Sequence, residues 1–363
     1  MNKVKSLYIH IPFCAHICAY CDFTKLYYNK KFSEPYLRAL FSEIDSYNIP
    51  KMETIYIGGG TPTALDDDEF ETLLEKISPL LNENGEFTVE ANVENLSEAK
   101  LKLMKRYGVN RISIGVESTS NKTLKEIDRH HTFEDARRVI SLAKSFGFNN
   151  INVDLIYGYN DETIDDLKED IKNLLSLDVP HISTYALSIS KNTKMGAKNL
   201  KEQNEDDSRA FYDEILTSLR KAGYKRYEVS NFAREGFYSR HNMTYWKDEH
   251  YFGVGLGASG YIKDIRYTNT RNLDKYLKGE YIDFKEKITK ELELEDYLLT
   301  NFRLEDGFSD TDFIKRFNKS FLKMFDKKAS KIIKDGLIIK NNDKIMLSDD
   351  GIAIMDRILV ELL

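Results

Sequence analysis

A strand pattern followed by a helix pattern recurs along the first two-thirds of this chain, and this alternation restricts the possible fold most. Apolar, β-branched segments of strand length recur between amphipathic helical patterns. Parallel strands joined through helices form a sheet with helices outside it. Six strands rather than eight indicate an open or partial (β/α)6 barrel of the α/β class. The predicted strands are residues 7–11, 54–57, 87–89, 111–116, 151–156 and 181–187.

Polar and glycine residues mark where the intervening helices begin and end. Asp66, Thr132 and Thr163 each precede an amphipathic pattern, so we predict that their side chains cap the first free backbone N–H groups. Glycines follow several of the patterns and are predicted to end those helices in the left-handed conformation. These glycines are Gly108, Gly147 and Gly223.

The pattern changes after residue 232. We predict that residues 1–232 form the barrel and residues 233–284 a glycine-rich, aromatic connecting segment. Residues 285–363 are predicted to form a small helical or winged-helix-like domain. Within it, apolar segments at 338–340 and 345–347 flank Asn-Asn-Asp, which predicts a β-ribbon before a last helix.

Charge and hydropathy exclude several classes of protein. No run approaches the roughly 18 apolar residues of a membrane span, and the first 11 residues are too short and polar for a secretory signal. The net charge of −6 argues against nucleic acid as the main partner. Residues 311–344 carry ten Lys or Arg against four Asp, so the rest of the chain has a net charge of about −12. We favour the interpretation that this basic stretch forms a solvated helix face. The alternative is that it contacts an acidic partner or anionic lipid.

The only cysteines of the chain are Cys14, Cys18 and Cys21. A C-x3-C-x2-C spacing offers three thiolates to one metal centre, whereas an iron–sulfur cube normally takes four. Three ligands leave one iron open to another molecule. The alternative is a zinc site, completed by His16 or Asp22, although zinc sites favour C-x2-C pairs. With no cysteine elsewhere to form a disulfide, a reducing cytoplasm is expected.

Unusual residues follow the predicted strands. Cys14 follows the first strand, three glycines (residues 58–60) the second, Glu90 the third and Glu117 the fourth, and Asp154 lies in the fifth. Ligands of such sheets gather where the strands end. We therefore expect these residues to share one site.

The two motifs together resemble the radical S-adenosylmethionine (SAM) family. The first is Tyr8-x-His10-Ile-Pro-Phe-Cys14-x3-Cys18-x-Tyr20-Cys21, and the second is Gly58-Gly-Gly-Thr-Pro-Thr63. The resemblance covers nearly the whole chain and implies a [4Fe–4S] cluster whose open iron binds SAM. The branch it resembles contains oxygen-independent coproporphyrinogen dehydrogenases and haem chaperones.

The resemblance also implies a set of SAM contacts. It assigns Tyr8, Gly59 and Glu90 to the SAM bound at the cluster, and Gly60, Thr61, Arg129 and Asp154 to a second SAM. Tyr20 is also assigned to SAM binding. Where the family has Gln, this chain has Glu117, which accepts hydrogen bonds but donates none when ionised. That departure from the family pattern argues against a second SAM site. A structural alternative for Arg129 and Asp154 is an ion pair at the barrel rim.

Two features separate the branches. The dehydrogenase has a fourth cysteine where this chain has Phe23, and residues 241–246 match an H-N-x-x-Y-W pattern associated with haem. The resemblance therefore implies haem as cargo near His241, Tyr245 and Trp246, for delivery to an acceptor such as a membrane respiratory protein. A purely structural aromatic corner is the alternative.

On this interpretation the chain is a haem chaperone of the cytoplasm, peripheral at the inner face of the membrane. Oxidative decarboxylation of coproporphyrinogen III is the alternative function, and radical SAM modification of RNA is a third. Whether SAM is cleaved in turnover, and so whether the protein is an enzyme, is left open, as is the oligomeric state.

Overall fold

A long sheet with helices packed on one side forms most of the molecule. The computed structural model describes residues 4–159, 161–198, 200 and 202–363. Residues 1–3 of the polar amino-terminal segment lie outside this description. The strands are β1 (Ser6–Ile11), β2 (Phe13–Cys14), β3 (Leu26–Tyr27), β4 (Met52–Gly59), β5 (Leu81–Asn92), β6 (Arg111–Glu117), β7 (Ile151–Tyr157), β8 (His181–Ala186), β9 (Lys225–Glu228), β10 (Asn231–Ala233), β11 (Tyr251–Val254), β12 (Ser259–Ile262), β13 (Ile265–Asn269), β14 (Ile282–Lys287), β15 (Phe308–Ser309), β16 (Ile338–Asn341) and β17 (Lys344–Leu347).

Helices of very different lengths connect these strands. They are α1 (Lys30–Ser46), α2 (Asp67–Ile77), α3 (Glu98–Arg106), α4 (Asn121–Glu126), α5 (Phe133–Ser145), α6 (Ile164–Ser176), α7 (Lys194–Ala197), α8 (Glu205–Lys221), α9 (Arg240–Trp246), α10 (Leu273–Leu277), α11 (Lys290–Asn301), α12 (Asp310–Phe317), α13 (Phe321–Lys334), α14 (Asp349–Ala353) and α15 (Met355–Leu362). Short 3-10 turns occur at Pro62–Ala64, Ser78–Leu80 and Val93–Asn95.

The six predicted strands are β1, β4, β5, β6, β7 and β8, which are neighbours in that order. Each pairs in parallel with the next. Across the described residues the full order is β14-β13-β12-β11-β1-β4-β5-β6-β7-β8-β10-β9. The predicted partial barrel of the α/β class is confirmed, and antiparallel strands extend it at both edges.

The two faces of the parallel strands differ in polarity. In β1, Leu7, Ile9 and Ile11 are fully buried in the apolar core beneath the helices. The alternate residues of the same strands are polar, as with Tyr8 in β1 and Tyr56 in β4. Strands buried on both faces are usually apolar throughout. The polar inner face therefore predicts a hydrophilic interior, which holds the site described below.

Side-chain caps begin the helices as predicted. Asp66, Thr132 and Thr163 each accept a hydrogen bond from the backbone N–H three residues later, and all three form capping boxes. The glycines predicted after the helices adopt left-handed φ angles: 81° at Gly108, 77° at Gly147 and 84° at Gly223. These predictions are confirmed.

The segment 233–284, for which the sequence predicts a connecting role, contains three strands and the start of a fourth. β11 pairs in parallel with β1, and β12 to β14 continue the sheet. The carboxylate of Glu43 in α1 lies beneath this segment and accepts hydrogen bonds from Gly255 N (2.9 Å), Asn269 Nδ2 (2.6 Å) and Tyr276 Oη (2.5 Å). One buried acid thus joins three parts of the segment to the first helix.

The carboxyl-terminal region has its own apolar cluster and a small sheet of order β15-β17-β16. β16 and β17 are the predicted β-ribbon. The buried guanidinium of Arg226 ties this region to the barrel through ion pairs with Glu305 and Asp349. Among the described residues, no helix is long and apolar enough to cross a membrane.

Candidate functional site

A cavity of about 430 Å³ opens at the carboxyl ends of the parallel strands. It brings together most of the residues that the sequence assigns to a common site: Cys14, Cys18, Tyr20, Cys21, Gly59, Gly60, Thr61, Glu90, Glu117, Arg129 and Asp154. They arrive on separate strands and loops, which meet because the strands are parallel and end at the same edge.

Cys14 ends β2, Cys18 and Cys21 lie on the loop that follows it, and all three are free thiols. The hydroxyl of Thr61 donates to Cys14 Sγ (3.7 Å), and Arg129 Nη1 lies 3.6 Å from Cys18 Sγ. Burial raises the pKa of the Cys14 thiol to about 12 and raises that of Cys21. Thiols this hard to ionise become thiolates when a metal replaces the proton.

Two of the glycines after β4 lie where no side chain fits. A Cβ on Gly60 would lie 2.9 Å from Cys14 Sγ. Gly59 has a φ of 115°, and a Cβ there would lie 2.5 Å from the His10 ring. The backbone of this loop therefore forms a cavity wall close to the cysteines, as binding of a cofactor through main-chain groups requires.

Glu90 joins this loop to the barrel interior. Its carboxylate accepts hydrogen bonds from Gly59 N (2.9 Å) and Tyr56 Oη (2.7 Å). Burial raises the pKa of Glu90 to about 7, and burial also raises the pKa of Asp154. Asp154 accepts a hydrogen bond from Asn152 Nδ2 (2.7 Å). The cavity thus has acidic walls, which suit a cation such as an ammonium or sulfonium group.

Arg129 is the buried cation of the cavity. Its Nη2 donates to Gly115 O and lies 4.0 Å from Glu94 Oε2. No ion pair joins it to Asp154 within the described part of the chain, so the rim ion pair considered from the sequence is not formed. Its Nε atom is buried without a hydrogen-bond partner among the described residues. Arg129 therefore has donor capacity to spare beside Cys18.

Glu117 has two unusual properties. Its φ of 68° lies in the left-handed region that a non-glycine residue rarely adopts. Its side chain is 9% exposed, and burial raises the pKa of its carboxyl to about 7, against the opposing effect of Arg129. The residue that departs from the family pattern is therefore a buried acid held in a strained backbone conformation.

We expect Glu117→Gln to alter the pH dependence of stability. Between pH about 4.5 and about 7 the unfolded chain loses the Glu117 proton while the folded chain keeps it, so the wild-type free energy of unfolding falls as pH rises. Glutamine has no such titration. As pH rises from about 5 to about 8, the free energy of unfolding of the variant should increase by about 2 kcal/mol relative to that of wild type. Denaturant unfolding without cofactors measures this difference. The exposed control Glu83→Gln should gain nothing; an equal gain there contradicts the prediction.

The haem-associated motif lies elsewhere. His241 is in α9 and is 1% exposed. Its Nδ1 is 2.8 Å from Thr54 Oγ1, and its Nε2 is 2.8 Å from Tyr245 Oη. Because Thr54 donates its proton to Ser6, Nδ1 is the protonated nitrogen and Nε2 accepts from Tyr245. Burial, and then the charge of Arg111, lowers the pKa of His241 to about 3.

This motif fills the opposite end of the barrel from the cysteines. Ser6 begins β1 and pairs with Thr54 in β4, whereas Cys14 follows the last residue of β1. Five residues of strand correspond to about 16 Å. Tyr245 packs edge-on against Tyr251, and Trp246 is half-buried beneath Arg303 (5.2 Å). In this arrangement neither ring nitrogen of His241 is open to an iron, so its haem ligation stays a prediction that requires one of the two bonds to break.

Tyr8 also lies outside the cysteine cavity. Its hydroxyl is 3.0 Å from His10 Nδ1, and it lines a neighbouring cavity with Phe23 and Arg271. The structure brings further residues to the cysteines that were not predicted from the sequence, among them Asn92, whose Nδ2 donates to Thr61 Oγ1 (3.1 Å). Ser113 and Tyr185 also line the cavity. Their positions near the ends of predicted strands were the available signal.

The arrangement of the thiols bears on the zinc alternative. Among the described residues, no group of three His, Cys, Asp or Glu side chains is placed to hold a single metal ion. His16 is stacked on His130, and Asp22 accepts a hydrogen bond from Ser190. A cluster differs from a zinc ion because each thiolate binds its own iron. The thiols, glycine loop and charged walls fit a cluster with a cationic cofactor beside it.

Comparison with known proteins agrees with this geometry. The radical SAM superfamily matches residues 8–174, and the HemN C-terminal domain matches residues 288–354. The solved coproporphyrinogen III oxidase (HemN) of Escherichia coli superposes with a TM-score of 0.86 at 20% identity, covering 99% of this chain and 90% of that one. That likeness concerns the fold. The fold, the cavity and these matches define a radical SAM protein, a class whose members use a [4Fe–4S] cluster and SAM.

Similarity to whole relatives narrows the class. The chain is 36% identical to the heme chaperone HemW of Lactococcus lactis, over 99% of this chain and 97% of the relative. It is 35% identical to the HemW of Bacillus subtilis over 96% of each, and 32% identical to that of Escherichia coli over 85% of each. The chain belongs to the HemW family.

Proposed function

We propose that this protein is a haem chaperone that binds haem, carries a SAM-liganded [4Fe–4S] cluster and passes haem to an acceptor protein. The observation that carries the proposal is the similarity along the whole chain to relatives named heme chaperone HemW. Phe23, placed where the dehydrogenase branch has a further cysteine, supports the same assignment.

In this proposal Cys14, Cys18 and Cys21 hold the cluster. When bound, the cluster supplies one electron that can break a carbon–sulfur bond of SAM. Thr61, which follows β4, and Arg129, which follows α4, donate hydrogen bonds to the sulfurs of Cys14 and Cys18, and these bonds favour the thiolate form. The depth of Cys14 in the cavity limits access of water and oxygen.

The remaining cavity residues orient SAM. The backbone of Gly59 and Gly60 would meet the methionyl end of the cluster-bound SAM, Glu90 would face its positive charge, and Tyr20 would line the wall. Gly60, Thr61, Arg129 and Asp154 would contact a second SAM. A second SAM at Arg129 and Asp154 meets Glu117 in place of an amide. The Glu117 carboxylate balances the charge of Arg129 and has no N–H group to donate. Both properties disfavour binding of the carboxylate of a second SAM at this position.

We further propose a cytoplasmic protein, peripheral to the membrane, whose acceptor is a membrane respiratory protein. Four exposed lysines of residues 311–344 support this part: Lys319, Lys323, Lys327 and Lys334 are not ion-paired with any residue the structure describes. Such charges attract anionic lipid at about 1 kcal/mol each near the surface. Sedimentation with vesicles of 30% or so phosphatidylserine, against neutral vesicles, tests this part.

Titration with haem tests the main proposal. The anaerobically reconstituted chain should form an equimolar complex with a shifted Soret band, and it should then lose haem to a haem-free acceptor. Absence of saturable binding would overturn the proposal. Conversion of coproporphyrinogen III to protoporphyrinogen by the same sample would favour the dehydrogenase instead, and salt-sensitive tRNA binding would favour RNA modification.

A further inference from the structure

Two histidines are stacked on each other at the surface beside the cysteine cavity. The rings of His16 and His130 have centroids 3.9 Å apart and planes inclined by 22°. Both residues are exposed. Neither ring forms a hydrogen bond or ion pair with any residue in the described ranges. The pair therefore offers open imidazole nitrogens at the surface of a protein that buries most of its histidines.

The other histidines are already engaged. Of the seven in the chain, five have ring nitrogens that contact a partner: His10 with Thr24 O, His131 with Glu94, His181 with Asn152 and Tyr227, His241 with Thr54 and Tyr245, and His250 with Lys263 O. Burial lowers the pKa of His10 to about 4 and that of His241 to about 3. Only the stacked pair combines exposure with free nitrogens within the described residues.

The pair joins the two loops that meet at the cluster. His16 lies between Cys14 and Cys18 and lines the cavity. His130 follows Arg129, whose guanidinium contacts Cys18. The stacked pair is thus held at the cavity mouth by residues that the site itself positions, rather than by a freely moving surface loop.

The surroundings of the pair suit a flat, apolar, anionic ligand. Phe23 is 66% exposed and lines the cavity together with Ile17. Its ring presents a flat apolar face on which a planar ligand can stack. Lys25 lines the same cavity, and its Nζ donates to the backbone oxygens of Cys21 and Phe23 but forms no ion pair with any described residue. No described carboxylate neutralises its positive charge, which can therefore attract a carboxylate of a ligand. Porphyrin rings carry an apolar face and propionate groups that match these features.

We propose that haem binds at the mouth of the cysteine cavity, with His16 as the axial ligand of its iron and His130 as the residue that positions the His16 ring. Imidazole is a common axial ligand of haem iron. An imidazole nitrogen binds a metal that lies in the plane of its ring. Because the two rings are stacked, an iron in the plane of one ring lies outside the plane of the other, so only one histidine ligates the iron and the other supports the ligating ring. His16 is the ligand because it lines the cavity. The inference rests on the haem chaperone function proposed above and names its binding site.

Haem titration of single variants tests the assignment in the reconstituted full chain. His16→Ala should bind haem at least about tenfold more weakly, in line with losses seen when groups around a metal are removed, and should lose the low-spin spectrum of imidazole-ligated iron. Added free imidazole should restore that spectrum. His130→Ala should keep the ligand and show a weaker, broadened low-spin signal. His250→Ala, at the amino end of β11 and outside the cysteine cavity, is the matched control and should behave as wild type.

The outcomes separate the two proposals. If the wild-type chain binds no haem, the chaperone proposal fails and this site falls with it. If wild type binds haem while the double variant of His16 and His130 binds it with unchanged affinity and spectrum, only the site is wrong. If folded His241→Ala with a full cluster loses the low-spin signal while His16→Ala retains it, the ligand is His241. Iron and sulfide analysis of each variant shows that the cluster is intact.

Discussion

Alanine in place of Cys14, Cys18 or Cys21 should abolish the iron–sulfur cluster. The chain has no fourth cysteine to replace a lost ligand, and two thiolates do not hold a cube that normally takes four. The visible charge-transfer absorption and the bound iron and sulfide should fall to background in each reconstituted variant. Because SAM binds through the open iron in this class, SAM binding measured by calorimetry should be lost as well.

Phe23→Ala is the matched control for the cysteine variants. Phe23 is on the same loop, but its side chain is 66% exposed and carries no metal ligand. We expect it to retain wild-type iron and sulfide. Circular dichroism should show that all four variants are folded, since the loop contributes little to the main sheet. A cysteine variant that keeps its full iron content would exclude that residue as a ligand.

Replacement of His241 by alanine should lower the free energy of unfolding by about 4 kcal/mol. The change leaves the Tyr245 hydroxyl without its acceptor and opens a cavity where a fully buried ring packs against Tyr56 (5.2 Å). Thr54 also loses its donor. Chemical unfolding of the chain measures the loss.

His16→Ala is the control for this stability measurement. Its ring is exposed and, among the residues that the structure describes, is stacked only on His130, so its loss should cost within about 0.5 kcal/mol. Similar stability of His241→Ala and wild type would mean that the interior of the barrel is held differently from the structure described above. We therefore expect roles that differ from the sequence-based assignment: His241 stabilises the fold, and His16 binds haem.

Local patterns predicted the elements of the fold closely. The six parallel strands contain the predicted segments with shifts of a few residues, and the capping residues Asp66, Thr132 and Thr163 behave as expected. These features depend on side-chain periodicity and on hydrogen bonds between residues close in sequence. The strands of residues 233–284 were not predicted, because β11 is stabilised by parallel pairing with β1, some 240 residues earlier, and β12 to β14 build on β11.

The candidate site was predicted in part for a similar reason. Residues at the ends of parallel strands necessarily meet, so Cys14, Glu90, Glu117 and Asp154 share one cavity as expected. His241 could not be placed in this way. It lies on a short helix after the barrel, and its neighbours Thr54 and Tyr56 come from a strand nearly 190 residues away.

The sequence by itself determined the class of fold, the three thiols and the cluster of chemical groups at the strand ends, because these follow from residue type, spacing and the direction of parallel strands. Only the tertiary structure decided which imidazoles are buried and which are open. A ring nitrogen is free or occupied according to partners that come from distant strands and loops, as at His241 and at the stacked pair of His16 and His130. No local pattern in the sequence contains that information.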